Sequence, residues 1–170
     1  TYIQTHVSAN VDEVACVTSL FPAARSYLDV YGQAGLLRER AMLAHCIWLD
    51  DTDRARLKET GSAVAVCPTS NLFLGSGLFD FARADAAQLA LSLATDVGGG
   101  TSFSMLQTMN NAYKVARMGG TDLPALRMFY LATLGAARCM RLEGAIGNFA
   151  AGTEADFIVL DPHATPLLAR

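Results

Sequence analysis

Short, almost wholly apolar runs alternate with helical stretches along this chain. Tyr2 to Val7 reads as a strand, and Asn10 with Glu13 three residues on makes a capping-box start for a helix through Leu20. Pro22 to Leu37 is a mixed connection with Gly32 and Gly35. Ala41 to His45 is a second strand, followed by a helix that Asp50 and Asp51 cap and Gly61 closes. Ala63 to Cys67 is a third strand, stopped by Pro68. A loop from Thr69 to Gly77 then leads to a short helix over 78–83. Leu89 to Thr95 is a fourth strand, and Gly98-Gly99-Gly100 precedes a long helix over 101–117. Another helix begins at Pro124 and runs through Met140. The strand runs lack apolar–polar alternation, as parallel strands covered on both faces should. Strand–helix alternation at this spacing predicts βαβ units and a parallel sheet.

The tail differs. Gly144 to Gly152 is turn-rich, and Phe157 to Leu160 reads as a strand with Pro162 behind it. The division predicted is residues 1–142 as a partial (β/α) barrel of four strand–helix units and 143–170 as a tail. A complete eight-unit barrel needs ~250 residues, so 170 residues hold about half of one plus an appendage. The chain opens at Thr1, inside a strand-like run, and stops at Leu167-Leu168-Ala169-Arg170 without a cap, which predicts a piece of a longer parent. Both outer strands of such a half-barrel expose unpaired N–H and C=O groups. Leu43, Val64, Val66 and Leu91 are expected on the inner face, against further strands. Pairing with another copy or a companion chain follows.

Composition narrows the function classes. A hydrophobic fraction of 52% against 17% charged residues excludes a disordered tail. With 13 Lys and Arg against 16 Asp and Glu, a net charge of −3 gives no footing for nucleic acid or anionic membranes. The apolar runs fall short of the ~18 residues of a spanning helix. Four cysteines, Cys16, Cys46, Cys67 and Cys139, lie far apart without a C-x-x-C pair. That spacing predicts reduced, mostly buried thiols in a cytoplasmic protein.

Polar side chains mark the C-terminal ends of three predicted strands: His6 on the first, His45 on the second and Asp96 on the fourth. In a parallel barrel that face is where sites are built from several strands at once. Two imidazoles and a carboxylate suit Zn²⁺, or Fe²⁺, with an open position to activate water. His163, in the polar tail, is expected to be solvated. The triple glycine lacks the Lys-Ser/Thr of a phosphate loop and reads as a tight turn.

Several stretches carry a family resemblance. They are Gln4 to Val14, Leu43-Ala44-His45-Cys46, Cys67-Pro68-Thr69-Ser70-Asn71-Leu72 and Ala94-Thr95-Asp96-Val97-Gly98-Gly99-Gly100, continuing through Ile146 to Phe149 and Gly152 to Leu160. The chain resembles the amidohydrolase superfamily and, within it, the guanine deaminases. The resemblance implies the C-terminal half of a metal-dependent hydrolase TIM (β/α)8 barrel, plus a returning strand of a small β-sandwich. It implies that His6 and Asp96 are ligands of one zinc ion. Asp96 would also accept the proton of the attacking water, and His45 would orient that water or the substrate. The implied reaction is hydrolysis of guanine to xanthine and ammonia, a step of purine catabolism.

Two departures accompany the likeness. The His-x-His of the family's first strand does not occur in this chain, and Ala9 stands where the family has a proton-shuttling Glu. Glu13, about a helical turn further on, is expected to be held by the capping box. Two other readings therefore stand beside guanine deamination: an inactive homologue or assembly module, and an aminohydrolase for another cyclic amidine such as cytosine or an s-triazine.

Overall fold

The protein is described by a computed structural model over residues 1–161 and 163. Twelve elements alternate in order: β1 (Ile3–Val7), α1 (Val11–Leu20), α2 (Tyr27–Gln33), β2 (Ala41–His45), α3 (Asp51–Thr60), β3 (Ala63–Val66), α4 (Pro68–Phe73), α5 (Phe81–Ala86), β4 (Ala90–Leu93), α6 (Met105–Met118), α7 (Ala125–Ala132) and α8 (Leu134–Cys139). The strands form one sheet in the order β1-β2-β3-β4, every neighbouring pair parallel. Each crossover carries at least one helix, as parallel pairing requires.

The ladder register decides which residues share a face. Thr5, Leu43, Val64 and Leu91 stand abreast, and Val66 pairs with Leu93. Leu43, Val64, Val66, Leu91 and Leu93 are buried in one cluster with helix residues Leu28, Leu57, Phe81, Val115 and Leu131. These strand residues therefore face the helices, which corrects their expected place on the inner face. The opposite face is built from small residues, with Ala44, Ala65 and Cys67 buried beside Met42 and Ala94. Strands that are apolar on both sides carry no alternation to tell one face from the other, so the sequence could not assign them.

Local chemistry explains the element ends. Asn10 Oδ1 accepts the Glu13 N–H at 2.8 Å, and Glu13 Oε2 accepts the Ala9 N–H at 2.8 Å. Asp50 Oδ1 accepts the Asp53 N–H at 2.7 Å, and Gly61, at φ 69°, closes α3 in the left-handed region. Ser26 caps α2 and Pro68 sits in the first turn of α4, two short helices where a mixed connection and a loop were expected. Asp80 caps α5 and Ser104 caps α6, moving both starts later than predicted. The helix expected from Pro124 to Met140 breaks at Thr133, φ −129° and ψ −100°, into α7 and α8.

Phe157 to Leu160, expected as a strand, has no ladder partner among the described residues and its side chains are exposed. A strand needs a neighbour to satisfy its backbone. Pro162 and Leu167 to Arg170 lie outside the described residues.

The Asp50 cap yields a stability test. Partial burial pushes the Asp50 carboxyl up, but the Asp53 N–H and the Arg25 guanidinium, 2.6 Å away, together hold it below its ordinary 3.8. A depressed native value adds stability that is complete above the unfolded value and is lost as pH falls through the folded one. Asp50→Ala is expected to cost about 1 kcal/mol in urea unfolding near pH 7, with the difference shrinking below about pH 4. A cost that stays constant down to pH 2 would contradict this account of the cap.

Candidate metal centre

The C-terminal ends of β1, β2 and β4 bring His6, His45 and Asp96 together, with one ligand atom from each lying within 4.8 Å of the others. The ladder pairs His6 with Ala44 on the small-residue face, and the following pair sets His45 opposite Val7. Val7 is buried in the helix-side core. His45 does not follow it there: its φ of 70° breaks the strand's alternation, and its ring lies edge-on to that of His6 at 4.8 Å between centroids. Ser8, Cys46 and Asp96 also have left-handed φ, between 51° and 52°. Such backbone in residues with a Cβ clusters where a site constrains the chain.

Exposure grades across the trio. His45 is 5% exposed, the Asp96 side chain 24%, and His6 is open to solvent. His45 Nε2 lies 3.8 Å from Asp96 Oδ2, beyond hydrogen-bond range but close enough for one bound atom to join them. The loop after Asp96 turns tightly, and a Cβ on Gly100 would collide with the Thr95 carbonyl oxygen. The triple glycine forms a turn in which Gly100 has no space for a side chain, whereas Gly98 faces open space.

Helix α4 brackets the centre. Thr69 Oγ1 donates to the Thr95 carbonyl at 3.1 Å, which ties the helix to the end of β4. Asn71 Oδ1 meets His45 Nδ1 at 2.8 Å, both groups buried. Ser70 Oγ and Asn71 Nδ2 are buried without hydrogen-bond partners. A Cβ on Gly99 would lie 3.0 Å from Ser70 Oγ and 3.3 Å from Asp96 Oδ2. Ser70 and Asn71 lie within the Cys67–Leu72 stretch that resembles the family, and their place at the centre emerges only in the fold. The available signal is a Ser-Asn pair in the first turns after the Pro68 that stops β3, in a helix too short to show a period.

Neighbouring thiols do not join the donor set. Burial, then the Asp96 charge, push the Cys67 thiol up to about 12, against a weaker downward pull from the His45 N–H. Burial also drives Cys46 upward. Both remain protonated at neutral pH and are poor ligands. All four cysteines are unpaired, and only Cys16 is exposed. His163 is exposed beside Asp161, away from the trio.

The position that would carry a shuttling carboxylate holds only a methyl group, in Ala9. Glu13 is occupied: Oε2 takes the Ala9 N–H, and Oε1 accepts the Tyr27 hydroxyl at 3.0 Å. Tyr31 continues this layer, donating to the His6 carbonyl at 2.9 Å. At the opposite end of the strands, Ala63, Ala90, Arg138 and Cys139 line a separate cavity of about 400 Å³.

Two imidazoles and one carboxylate, with His6 open to solvent, fit a divalent ion of the zinc class. His6 and Asp96 are the accessible donors, and His45 stands behind them.

The amidohydrolase family profile matches residues 1–169. Guanine deaminase of Escherichia coli (strain K12) is 50% identical over 167 residues, 98% of this chain and 38% of that protein. A solved E. coli guanine deaminase superposes with a TM-score of 0.97 at 50% identity, over 99% of this chain and 39% of the other. A guanine deaminase from C. acetobutylicum, solved with guanine bound in its active site, matches with a TM-score of 0.81 at 28% identity, over 88% of this chain and 37% of that one. An adenosine deaminase from Xanthomonas campestris with bound zinc gives 0.84 at 26% identity, over 92% and 36% respectively. The chain therefore spans well under half the length of each. With these neighbours, the four parallel strands and their helices are part of a TIM barrel.

Zinc titration tests the centre. One weak site is expected, with His6→Ala or Asp96→Asn lowering affinity at least ~10-fold and His163→Ala leaving it unchanged. Equal affinity in all three variants would place the ion elsewhere.

Proposed function

This chain belongs to the amidohydrolase family, and on that premise we propose that it carries the C-terminal half of a guanine deaminase centre. The reaction is hydrolysis of guanine to xanthine and ammonia. The observation that carries the reading is the convergence of His6, His45 and Asp96 at three strand ends, in a chain whose relative named guanine deaminase is 50% identical. Members of this family are metal-dependent, and the Xanthomonas neighbour holds zinc.

His6 and Asp96 would hold the ion, Zn²⁺ or Fe²⁺. When bound, the ion would supply Lewis acidity, which brings the pKa of a coordinated water toward ~7. Asp96, partly exposed beside His45, accepts a proton from the attacking water. His45 Nε2, facing Asp96, accepts the water's other hydrogen and aims its oxygen at the amidine carbon of the purine. Burial of His45 on one side and the small-residue face below it limit the directions from which that water can come.

Among the described residues, neither Ala9 nor Glu13 replaces the missing shuttle. Ala9 has nothing to donate, and both Glu13 oxygens are engaged. Protonation of the purine nitrogen and of the leaving amine is therefore uncatalysed from this position. The same locked Glu13 favours a second reading, a catalytically inactive homologue or assembly module.

The wider setting is proposed on similar grounds. Unpaired, largely buried thiols suit the cytoplasm. Among the described residues, no helix is long and apolar enough to cross a membrane. The tail from residue 143 contributes to a small β-sandwich. The outer edges of β1 and β4 accept further strands from a second copy or a companion chain.

Ammonia release from guanine, measured with zinc present, tests the reading. Turnover with Ala9 is expected several orders of magnitude below ordinary enzyme rates of ~10 s⁻¹, and Ala9→Glu is expected to exceed it by up to ~10²–10⁴. Ordinary turnover with Ala9 in place would overturn the role assigned to that position.

A further inference from the structure

A neutral imidazole offers a lone pair at one nitrogen and a proton at the other, so the partner of one fixes the chemistry of the other. In His45 the partner is unusually well defined. Nδ1 meets Asn71 Oδ1 at 2.8 Å, and the two residues are 5% and 2% exposed, so solvent has little access to compete. On the other side of the ring, the nearest carboxylate oxygen, Asp96 Oδ2, is 3.8 Å from Nε2. That is too long for a hydrogen bond that would claim an Nε2 proton.

Asn71 is itself held firmly. Its backbone N–H donates to the Cys67 carbonyl at 2.9 Å, and its own carbonyl accepts the Ser76 N–H at 2.9 Å. Thr69, two residues earlier, anchors the same turn to Thr95. The carboxamide is therefore delivered to His45 by a short helix pinned between the ends of β3 and β4. Among the described residues its Nδ2 has no partner of its own, and the bond to His45 is the only one its side chain makes there.

We propose that Asn71 is a positioning residue whose carboxamide oxygen holds His45 as the Nδ1–H tautomer, leaving the Nε2 lone pair facing Asp96 and His6. A carbonyl oxygen can only accept, so with this amide orientation the proton must sit on Nδ1. The opposite tautomer would set two lone pairs against each other at 2.8 Å, or force the amide to turn over and offer Nδ2. The inference deepens the deaminase reading, in which His45 Nε2 accepts a hydrogen from water. It rests on that reading only for its catalytic meaning.

The test reads the tautomer directly in the metal-free chain. Long-range ¹H–¹⁵N spectra at about pH 8.5, above the ordinary histidine pKa, distinguish protonated from bare ring nitrogens. The three histidines are His6, His45 and His163, so His6→Gln and His163→Gln assign the His45 signals. Protonated Nδ1 and bare Nε2 are expected. Asn71→Asp, which keeps an acceptor in place, should preserve that pattern, whereas Asn71→Leu should shift it toward Nε2–H. A His45 found as Nε2–H in the unaltered chain overturns the proposal even if Asn71→Leu fails to fold. So does an Nδ1–H pattern that persists in a folded Asn71→Leu. The spectra need neither metal nor guanine, so an Ala9→Glu chain that still fails to deaminate guanine would count against the functional reading and leave the tautomer result standing.

Discussion

The parallel ladder sets Thr5, Leu43, Val64 and Leu91 abreast, with Ala44 and Ala65 one position on and facing the other way. Helices cover the first row and seal it as the core; the second row stays small. A one-residue slip in any strand would turn leucine and valine toward the small-residue face and alanine toward the helices. It would also carry His6 or His45 away from the other. The cost of misplacing several large apolar side chains, each worth ~1.5–3 kcal/mol on burial, thus protects the geometry of three polar residues. The candidate metal centre inherits its geometry from a core that includes none of its three donor residues.

The strand ends are where that regular pattern is given up. Ser8, His45, Cys46 and Asp96 all take left-handed backbone, at roughly 1–2 kcal/mol each. At His45 the result is visible: a side chain whose ladder partner lies in the core is turned to meet His6. Helix α4 then fixes what the strands have turned outward, with Thr69 on the Thr95 carbonyl and Asn71 on the His45 ring. Strain in the backbone and support from a buried polar bracket are two halves of one arrangement.

Much of this was legible from residues alone, for identifiable reasons. The four strands are compact apolar runs, and Asn10 with Glu13, and Asp50 with Gly61, write helix ends in local capping chemistry. His6, His45 and Asp96 stood out because polar groups are conspicuous at the ends of apolar strands. The rest depends on information that is not local. Helices α2 and α4 span 7 and 6 residues, too few for a helical period to emerge. Leu43 and Val64 could not be assigned a face without the helices that cover them. Thr133 interrupts a continuous apolar periodicity, and the break brings Gly135 so close to Tyr130 that a Cβ there would lie 2.7 Å from the Tyr130 carbonyl oxygen. Phe157 to Leu160 has a strand's composition, but a strand also needs a partner.

The central claim is that three strand ends converge on a single ion. The measurement that bears on it most directly is an anomalous difference map from zinc-soaked crystals, recorded on both sides of the zinc edge. The account predicts one strong peak bonded at ~2.0–2.2 Å to a His6 ring nitrogen and an Asp96 carboxylate oxygen, with His45 adjacent. A peak at the cysteines or at His163, or fully occupied zinc bound without His6 and Asp96, would contradict it.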